Sequence, residues 1–378
     1  MKIKCNKDTI KKGVHIVENV VSGSNINPML QNVKIVANDN TLELSTTDLE
    51  VSVSYLIDSV EIVEPGQMVV PEDKIASIVK EWTEDSIEIT EENKKCIITG
   101  KNSYFKILCA DPEEFPTIPQ FINDEYIEMD KNILADMIKK TAFIILGDKT
   151  RYGASGVFLD ICENHIKMVA NDGRRLAEVR KKINNPNGIT KNCIIPIKGV
   201  LQIQKIVGEP DRIGAGGHDD IVKLRIEEKR ILVNTKNSTT CSQLLEGQYP
   251  KYEEVIPTNL DKRVILDKHE FTSAVRRGSV MTTDDYKLLK FKFTGKTLEI
   301  SCVSPDVGES KVVIPIEYTG EELEIGLNPE FVLDFLKNVE AEEVKLEMKD
   351  PGTAGVFKTG GGCTYVIMPM NLGDEKTA

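Results

Sequence analysis

The feature that most limits the fold of this chain is a segment that recurs three times in its 378 residues. Each copy has a Pro at or near its start and then apolar residues spaced three and four apart. This pattern predicts a short amphipathic helix opened by Pro. Pro71, Pro196 and Pro329 are separated by 125 and 133 residues. The three copies are VPEDKIASIVKEW (70–82), IPIKGVLQIQKIV (195–207) and LNPEFVLDFLKNV (327–339).

Other kinds of segment recur in the same order around these helices. One is an Asx turn followed by an alternating strand, and another is a Pro-containing linker between units. A helical stretch with a charged or polar entry opens each unit. The turn segments are 46–55, 170–180 and 303–315, the linkers are 113–119 and 247–257, and the opening helices are 7–21, 130–143 and 267–281.

The preserved order and near-equal spacing predict three domains, at 1–122, 123–254 and 255–378, the last ending in a short polar tail at 373–378. Between the helices, apolar and polar residues alternate, which is typical of antiparallel strands with one polar face. The predicted class is therefore α+β, with two short helices per unit on one face of antiparallel sheets. Three such units favour a ring or arc over a single enzyme cleft. Chance resemblance of common turn patterns is the alternative, and it does not explain the shared order.

The composition narrows the functional classes. The apolar fraction of 40% is that of an ordinary globular protein, and no apolar run approaches the roughly 20 residues of a membrane span. The first residues, MKIKCNKDTIKKG, contain no apolar core of a secretory signal, so we expect a cytoplasmic protein. The eight Cys are scattered without CxxC spacing, which favours buried reduced thiols over disulfides or zinc ligands.

The positive charge is concentrated on the predicted helices. With the last opening helix counted over 268–281, the six helical segments together carry +4, so that with the whole chain at −12 the remainder carries −16. If all six helices share one side of the sheets, that side is mildly basic and is able to hold a DNA backbone without reading its sequence. The alternative is that Lys and Arg simply cover solvated helix faces. Aromatic residues make up only 6%, which does not suggest a base-stacking surface.

Residue patterns that carry catalysis are missing. The sequence has no Walker-type glycine loop, no GxSxG and no HExxH, and the glycine-rich GAGGH (214–218) lacks a following Lys-Ser/Thr. We therefore expect no catalytic residue, no metal site and no cofactor. The alternative is a hydrolase or transferase in which acidic residues such as Asp284 and Asp285 hold a divalent metal, although these two stand in a turn-like stretch.

The end of the chain raises a separate question. The octapeptide YVIMPMNL (365–372) is either the last strand of the core or an apolar surface kept for a partner. By pattern alone it is an edge strand, in which Pro369 cannot donate to a ladder and should end the pairing. We expect Tyr365, Val366 and Ile367 to finish the last strand. The residues after Ile367 should then leave the sheet as one wall of a partner groove.

Together these segments resemble the bacterial sliding clamp, the β subunit of the DNA polymerase III holoenzyme. The resemblance runs from Met1 to Leu372, and it rests on many short motifs that occur in the family's order. They are NPMLQNV (27–33), TDLEVSV (47–53), GQMVVPEDK (66–74), EEFPTIP (113–119), RYGASGVF (151–158), NDGRRLA (171–177), GQYPKYEEVIP (247–257), EIGLNPEFVLDFL (324–336) and YVIMPMNL (365–372).

The resemblance implies three DNA-clamp domains per chain, with helices on the inner face and sheets outside. It implies a head-to-tail homodimer that forms a six-domain ring around duplex DNA and is not an enzyme. Such a ring is a processivity factor, which binds DNA without sequence preference. The implied protein partners are the polymerase III catalytic subunit, the clamp loader and other proteins with a clamp-binding motif. No membrane is implied.

The resemblance also implies three sets of site residues. The dimer contact would join Phe105 and Ile107 of one chain to Val280 and Met281 of the other, and interior packing is the alternative for these four. The DNA contacts would be Lys149, Arg151, Tyr152 and Lys198. A partner-peptide pocket, with Arg174 and Arg175 as hydrogen-bond donors, would be formed by Ala154, Asn171, Gly173, Arg174, Arg175, Leu176, Pro250, Val255, Val366, Ile367, Met368, Pro369, Met370 and Leu372.

This chain departs from the commonest family pattern at five positions. Ser24 stands where an Arg is frequent and Gly153 where a Tyr is frequent, which affects the implied DNA contacts. Ala154 replaces a frequent Leu, and Glu254 and Asn371 each replace a frequent Arg. Ala154 and Glu254 predict a pocket that is wider, and more acidic at one edge, than in the usual family member.

Overall fold

The computed structural model describes residues 1–18, 20, 27–122, 124–147, 156–208, 220–305 and 307–372. Within these residues the predicted α+β class is confirmed, and every pairing between strands is antiparallel. The helices are α1 (Lys7–Val17), α2 (Glu72–Glu81), α3 (Lys131–Lys139), α4 (Ala142–Gly147), α5 (Ile197–Gly208), α6 (Lys268–Gly278) and α7 (Pro329–Asn338).

The strands of the described residues are short, between four and eight residues long. They are β1 (Lys2–Asn6), β2 (Asn32–Asn38), β3 (Thr41–Thr47), β4 (Val51–Ile57), β5 (Val60–Glu64), β6 (Gly66–Pro71), β7 (Ser86–Glu92), β8 (Lys95–Thr99), β9 (Tyr104–Leu108), β10 (Ile127–Asp130), β11 (Gly156–Ile161), β12 (His165–Asn171), β13 (Arg175–Lys182), β14 (Lys191–Pro196), β15 (Ile221–Ile226), β16 (Arg230–Asn234), β17 (Ser238–Gln243), β18 (Lys262–Asp267), β19 (Leu289–Phe293), β20 (Thr297–Ser304), β21 (Gly308–Pro315), β22 (Leu323–Leu327), β23 (Glu343–Met348), β24 (Gly355–Thr359) and β25 (Cys363–Ile367).

The helix starts follow from local capping. The Asn6 side chain accepts the backbone N–H of Asp8 at the start of α1, and Asn328 does the same for Glu330 at the start of α7. The three prolines of the repeat lie where predicted, immediately before α2, immediately before α5 and at the first residue of α7. The predicted helix at 130–143 is broken in two at Thr141, whose N–H bonds the Ile138 carbonyl three residues back and whose hydroxyl bonds the Met137 carbonyl.

The chain separates into two compact units. The first contains Met1–Ala135, Asn184–Ile189 and Lys198–Leu245, and the second contains Asp136–Ile183, Thr190–Ile197 and Glu246–Ala378. Both units therefore include part of the predicted middle domain, and the three-domain division stays a prediction.

The first unit has two sheets. Their strand orders are β5-β1-β7-β8-β9 and β10-β15-β16-β17-β4-β3-β2-β6. The helix α1 is held to the larger sheet by the Thr46 hydroxyl, which donates to the Val17 carbonyl at 2.8 Å. Gln202 of α5 donates to the Ile16 carbonyl at 2.8 Å, so side chains also bond the carbonyls at the end of α1.

The second unit repeats this plan. Its sheets have the orders β14-β11-β12-β13-β25-β24-β23-β18 and β21-β20-β19-β22. Its core is aromatic: the rings of Phe335 on α7 and Tyr365 on β25 stack with centroids 4.7 Å apart, and the Tyr365 hydroxyl donates to the Phe331 carbonyl at 3.0 Å. These contacts fix the position of β25, whose end is the start of the candidate site.

Candidate functional site

The C-terminal segment, Met368–Leu372, leaves the sheet where the sequence predicts. β25 ends at Ile367, which is fully buried, whereas the next residue, Met368, is 44% exposed. The expectation of an edge strand is wrong, because β25 lies between β13 and β24 in the interior of its sheet. Pro369 follows the end of the strand, so its missing N–H removes no ladder bond.

One side of this segment faces a tight turn before β13. The Asn171 side chain accepts the N–H of Gly173 at 2.8 Å, and Asp172 accepts the N–H groups of Arg174 and Arg175 at 2.9 Å each. Gly173 has φ +83°, a left-handed conformation that is unfavourable for most other residues. The turn leaves Gly173 and Arg174 exposed beside the C-terminal segment, whose Met368 N–H donates to the carbonyl of Arg174 at 2.9 Å.

The Arg175 side chain, implied as a peptide donor, is already engaged within the fold. Its side chain is buried and donates to Asp172 at 3.0 Å and to Asp334 of α7 at 2.7 Å. Its guanidinium also lies 4.3 Å above the ring of Phe331. These contacts join β13 to α7, so the structure shows a structural role for Arg175. Exposed Arg174 remains a candidate donor.

A second side is a single 3₁₀ turn, Tyr252–Val255. Tyr252 is 3% exposed and belongs to one buried apolar cluster with Val366 of β25. Val255 at the end of the turn is 40% exposed, and Pro250 before it is exposed. The turn is thus anchored to the strand from which the C-terminal segment departs. Val366 and Leu176, which the resemblance assigns to the pocket, are each 1% exposed and lie in this same buried cluster.

Burial raises the pKa of two ionisable groups beneath this turn, Tyr252 and Glu178. Burial raises the pKa of Tyr252, and the nearby carboxylate of Glu178 raises it further. Burial also raises the pKa of Glu178, against the opposing effect of Lys167. The ammonium of Lys167 lies 3.4 Å from the Tyr252 hydroxyl and 3.7 Å from a carboxylate oxygen of Asp160. Tyr252 therefore stays a neutral phenol at physiological pH and serves as an anchor.

The acidic edge predicted from Glu254 lies on the surface. The Glu254 side chain is 72% exposed and pairs with Lys251, itself 84% exposed, at 3.5 Å. Such a pair contributes little stability in water. Glu253 beside it is 62% exposed. Both carboxylates are therefore accessible to a basic residue of a partner.

Three further residues near this site, Leu288, Gly326 and Phe331, were not identified from the sequence. Leu288, directly before β19, and Leu372 converge above Gly326 of β22, and Phe331 supports Arg175. Gly326 and Phe331 lie in EIGLNPEFVLDFL (324–336), a motif that supported the family resemblance without assigning either residue a role. Leu288 carried no signal, because its position in YKLLKFKF (286–293) is that of an ordinary strand entry.

The residues implied for the dimer contact lie on two separate surfaces. β9 is the edge of the five-stranded sheet, where Phe105 is 41% exposed and Leu108 is 72% exposed, while Ile107 is 9% exposed. The ring of Phe105 lies 6.2 Å from that of Trp82. In the second unit, Val280 is 68% exposed in the 3₁₀ turn that ends α6, and Met281 is partly exposed.

The implied DNA contacts are only partly described. Lys149, Arg151, Tyr152 and also Ala154 of the implied pocket lie outside the described residues. Lys198 of α5 forms an ion pair with buried Asp48, whose other oxygen accepts the N–H groups of Glu50 and Val51. This pairing ties Lys198 to the turn before β4. Other exposed cations on the described helices include Lys11, Lys80, Arg276, Arg277 and Lys337.

The described residues offer neither a metal site nor a membrane-spanning helix. In the described part of the chain, no group of three or more His, Cys, Asp or Glu side chains is placed to hold a metal ion. None of the helices described here has the length and apolar character needed to cross a membrane. Asp284, considered above as a metal ligand, lies 3.7 Å from Lys287.

Comparison with known proteins gives a consistent result along the whole chain. Models of the N-terminal, central and C-terminal domains of the DNA polymerase III beta subunit match residues 1–119, 128–251 and 253–371. The beta sliding clamp of Chlamydia muridarum is 30% identical over 376 residues, covering 99% of this chain and 100% of the relative. That of Pseudomonas putida is 27% identical over 375 residues, covering 98% and 100%.

Solved structures agree in fold. The sliding clamp of Bacillus subtilis matches with a TM-score of 0.88 at 26% identity, covering 99% of this chain and 100% of that one. The Pseudomonas aeruginosa clamp bound to griselimycin matches with a TM-score of 0.89 at 27% identity, covering 98% and 100%. With three consecutive domain models and a full-length relative at 30% identity, the chain belongs to the bacterial sliding clamp family, the β subunits of DNA polymerase III.

Proposed function

We propose that this chain is the processivity factor of a bacterial replicative polymerase. Two copies close into a ring around duplex DNA, and the ring tethers the catalytic subunit of DNA polymerase III, the clamp loader and other clamp-binding proteins. The observation that carries this proposal is the match of all three clamp domains, in order, over 1–371. The family is not catalytic: a tether raises the local concentration of the polymerase at its template, so the polymerase rebinds before it diffuses away. Because the protein acts on the bacterial chromosome, we place it in the cytoplasm.

The two exposed surfaces described above, the β9 edge and the turn that ends α6, support a head-to-tail dimer. An exposed edge strand such as β9 presents unpaired backbone groups and is a template for another chain. Its exposed Phe105 and Leu108 offer an apolar contact for Val280 and Met281 of a second copy. Because the two surfaces differ, the contact is heterologous, and a rotation that closes after two copies gives a ring.

Sliding on DNA requires contacts that ignore sequence. Phosphate contacts from Lys and Arg meet this requirement, since they position a protein without reading bases. We propose Arg276 and Arg277 at the end of α6, and Lys11 of α1, as contacts in addition to Lys149, Arg151 and Tyr152. Lys198 is the weakest candidate, because its ammonium already pairs with Asp48.

The C-terminal segment and its surroundings form the proposed docking site for partner peptides. A peptide site needs an apolar surface with a few polar groups at its margin. Met368, Met370, Pro369 and Val255 supply the first, and the exposed Arg174 supplies the second. Methionine side chains adapt to different ligands, which suits a surface that several partners use in turn.

Retention on circular DNA tests the proposed ring. The protein, loaded on nicked circular plasmid by a bacterial clamp loader, should stay bound after a wash with 1 M NaCl. A closed ring is held topologically, whereas phosphate contacts weaken steeply with salt. Cutting the plasmid once with a restriction enzyme should release the protein, because the ring slides off the end. Gel filtration of labelled protein with plasmid measures both states. Equal loss from circular and linear DNA would mean that the protein does not encircle its template.

Replacing Met368 tests the peptide site. Met368→Ala should weaken binding of a labelled peptide copied from the clamp-binding segment of a bacterial polymerase III catalytic subunit by about 1–3 kcal/mol, the range for a well-placed apolar anchor. Fluorescence anisotropy measures the affinity. Met29→Ala, which changes a partly exposed methionine of the first unit, is the matched control and should bind like the unmodified protein. An unchanged affinity for Met368→Ala would place the site elsewhere.

A further inference from the structure

Two backbone hydrogen bonds hold the C-terminal segment in place. The Met368 N–H donates to the Arg174 carbonyl at 2.9 Å, and the Met370 N–H donates to the Gly326 carbonyl at 2.8 Å. The second bond is an isolated bridge that attaches the segment to the free edge of β22. Pro369 lies between the two bonds and has no N–H of its own. Met368 and Met370, whose side chains are proposed to contact a peptide, are therefore the two residues that these backbone bonds hold.

Gly326 makes the second anchor possible because it has no side chain. A Cβ atom at this position would lie 2.7 Å from the Met370 carbonyl oxygen, 2.7 Å from Leu288 Cδ1 and 3.0 Å from Leu372 Cδ2. Carbon atoms do not approach other atoms this closely without displacement. Leu288 and Leu372 are able to turn aside, but the Met370 oxygen belongs to the backbone of the segment itself. A side chain here therefore requires the segment to move.

The strand beneath cannot move instead. The neighbours of Gly326 in β22, Ile325 and Leu327, are both fully buried, and Gly326 itself is paired with Lys290 of β19. The φ angle of Gly326 is not positive, so residues with a side chain can adopt the same backbone conformation. The need for glycine at this position is thus steric, and the backbone atom that causes it belongs to the C-terminal segment.

We propose that Gly326 is a positioning residue of the peptide site. It sets the distance between the C-terminal segment and β22, and with it the placement of Met368 and Met370. This inference rests on the proposed function of the segment as a peptide-docking surface. Gly326 itself is not proposed to contact a peptide. It acts through the backbone of Met370, whose side chain is proposed to do so. Leu288, packed over the same glycine, closes the space between the strand and Leu372.

Gly326→Ala tests this role. The variant should bind the labelled polymerase peptide at least tenfold more weakly, and hydrogen exchange of the amides in 368–372 should speed up at least tenfold. The dimer mass should not change. Gly355→Ala is the matched control: Gly355 is also a buried strand glycine, paired with Ile367, but a Cβ there meets its nearest atom at 3.6 Å, an ordinary contact. This control should keep both the affinity and the exchange rates of the unmodified protein.

A second pair of variants loosens the anchor without adding atoms to the core. Met370→Pro removes the N–H that bonds Gly326, whereas Met370→Ala keeps it and loses only the side chain. The Pro variant should exchange faster at 368–372 and bind more weakly than the Ala variant. This pair decides the question if Gly326→Ala does not fold.

The outcomes separate the inference from the function on which it rests. Unchanged exchange and affinity in Gly326→Ala, or equal behaviour of the two Met370 variants, would overturn the positioning role. Faster exchange in a protein whose unmodified form binds no peptide would support the positioning of the segment and overturn its use as a docking site. The unmodified protein is measured first for this reason.

Discussion

Val280→Asp should convert the dimer to a monomer. The change puts a carboxylate into the proposed apolar contact with β9 of the second copy, and a ring of two chains contains this contact twice. At about 2 kcal/mol for each contact, the dimer affinity should fall roughly a thousandfold. Because the Val280 side chain is 68% exposed within one chain, the fold itself should not be affected. Sedimentation velocity over a dilution series measures the change.

A matched control and a mixing experiment sharpen this prediction. Val63→Asp changes a 51% exposed valine on β5, the opposite edge of the sheet that ends in β9, and should leave the dimer intact. Phe105→Asp should give monomers like Val280→Asp. Mixing the two monomeric variants should restore a dimer with one sound junction, since each supplies the surface that the other has lost. Failure of the mixture to associate would exclude a head-to-tail contact between these surfaces.

The single Trp of the chain provides an independent readout. Trp82 is 4% exposed and its ring lies 6.2 Å from that of Phe105, on the proposed contact strand. Dissociation should alter the surroundings of this ring pair, so Trp fluorescence should change over the same concentrations as the sedimentation coefficient. The Val63→Asp protein should show neither change.

Replacing Arg175 should have the largest effect on stability. Arg175→Met retains much of the side-chain volume but leaves the carboxylate of Asp172, only 5% exposed, without its cation. Removing one partner of a buried pair costs about 3–5 kcal/mol. Burial alone would lower the pKa of Arg175, but the neighbouring Tyr365 and Asp334 outweigh burial and raise it, so the charge persists at any working pH. Native-state hydrogen exchange of the β13 amides measures the local free energy.

The adjacent arginine is a natural control. Arg174→Met changes an exposed side chain of the same turn and should alter stability by less than about 0.5 kcal/mol. Adding Asp172→Asn to Arg175→Met should recover part of the loss, because Asn keeps the turn-capping oxygen and removes the unpaired charge. Equal stabilities for the two Met variants would show that Arg175 does not support this part of the fold.

The helix starts were predictable because their determinants are local. Asn328 and Pro329 specify the first turn of α7 by capping and by a fixed φ, and neither needs a distant contact. The Asx turns at Asp48 and Asp172 likewise follow from side chains that bond the next few N–H groups. The break after α3 was missed, since the hydroxyl of Thr141 can point to solvent or bond back, and the apolar periodicity does not distinguish these.

The location of the site was predictable from the sequence, but the roles of its individual residues were not. Arg174 and Arg175 are adjacent and chemically identical, and only the strand register shows that one is exposed and the other bonded to Asp334, 159 residues away. Lys198 illustrates the same limit, because its partner Asp48 is 150 residues away. Leu288 and Gly326 were not foreseen at all, since their role depends on the path of the last residues of the chain.

For this protein, the sequence by itself determined the repeat, the α+β class, the family and the place where YVIMPMNL leaves its strand. These depend on local capping, on the period of apolar residues and on the order of short motifs. Only the tertiary structure decided that β25 lies in the interior of its sheet and that buried Arg175 bonds Asp334. It also decided that the C-terminal segment is paired with Gly326. The physical reason is that each of these depends on groups far apart in the chain, and local preferences carry no information about which of them meet.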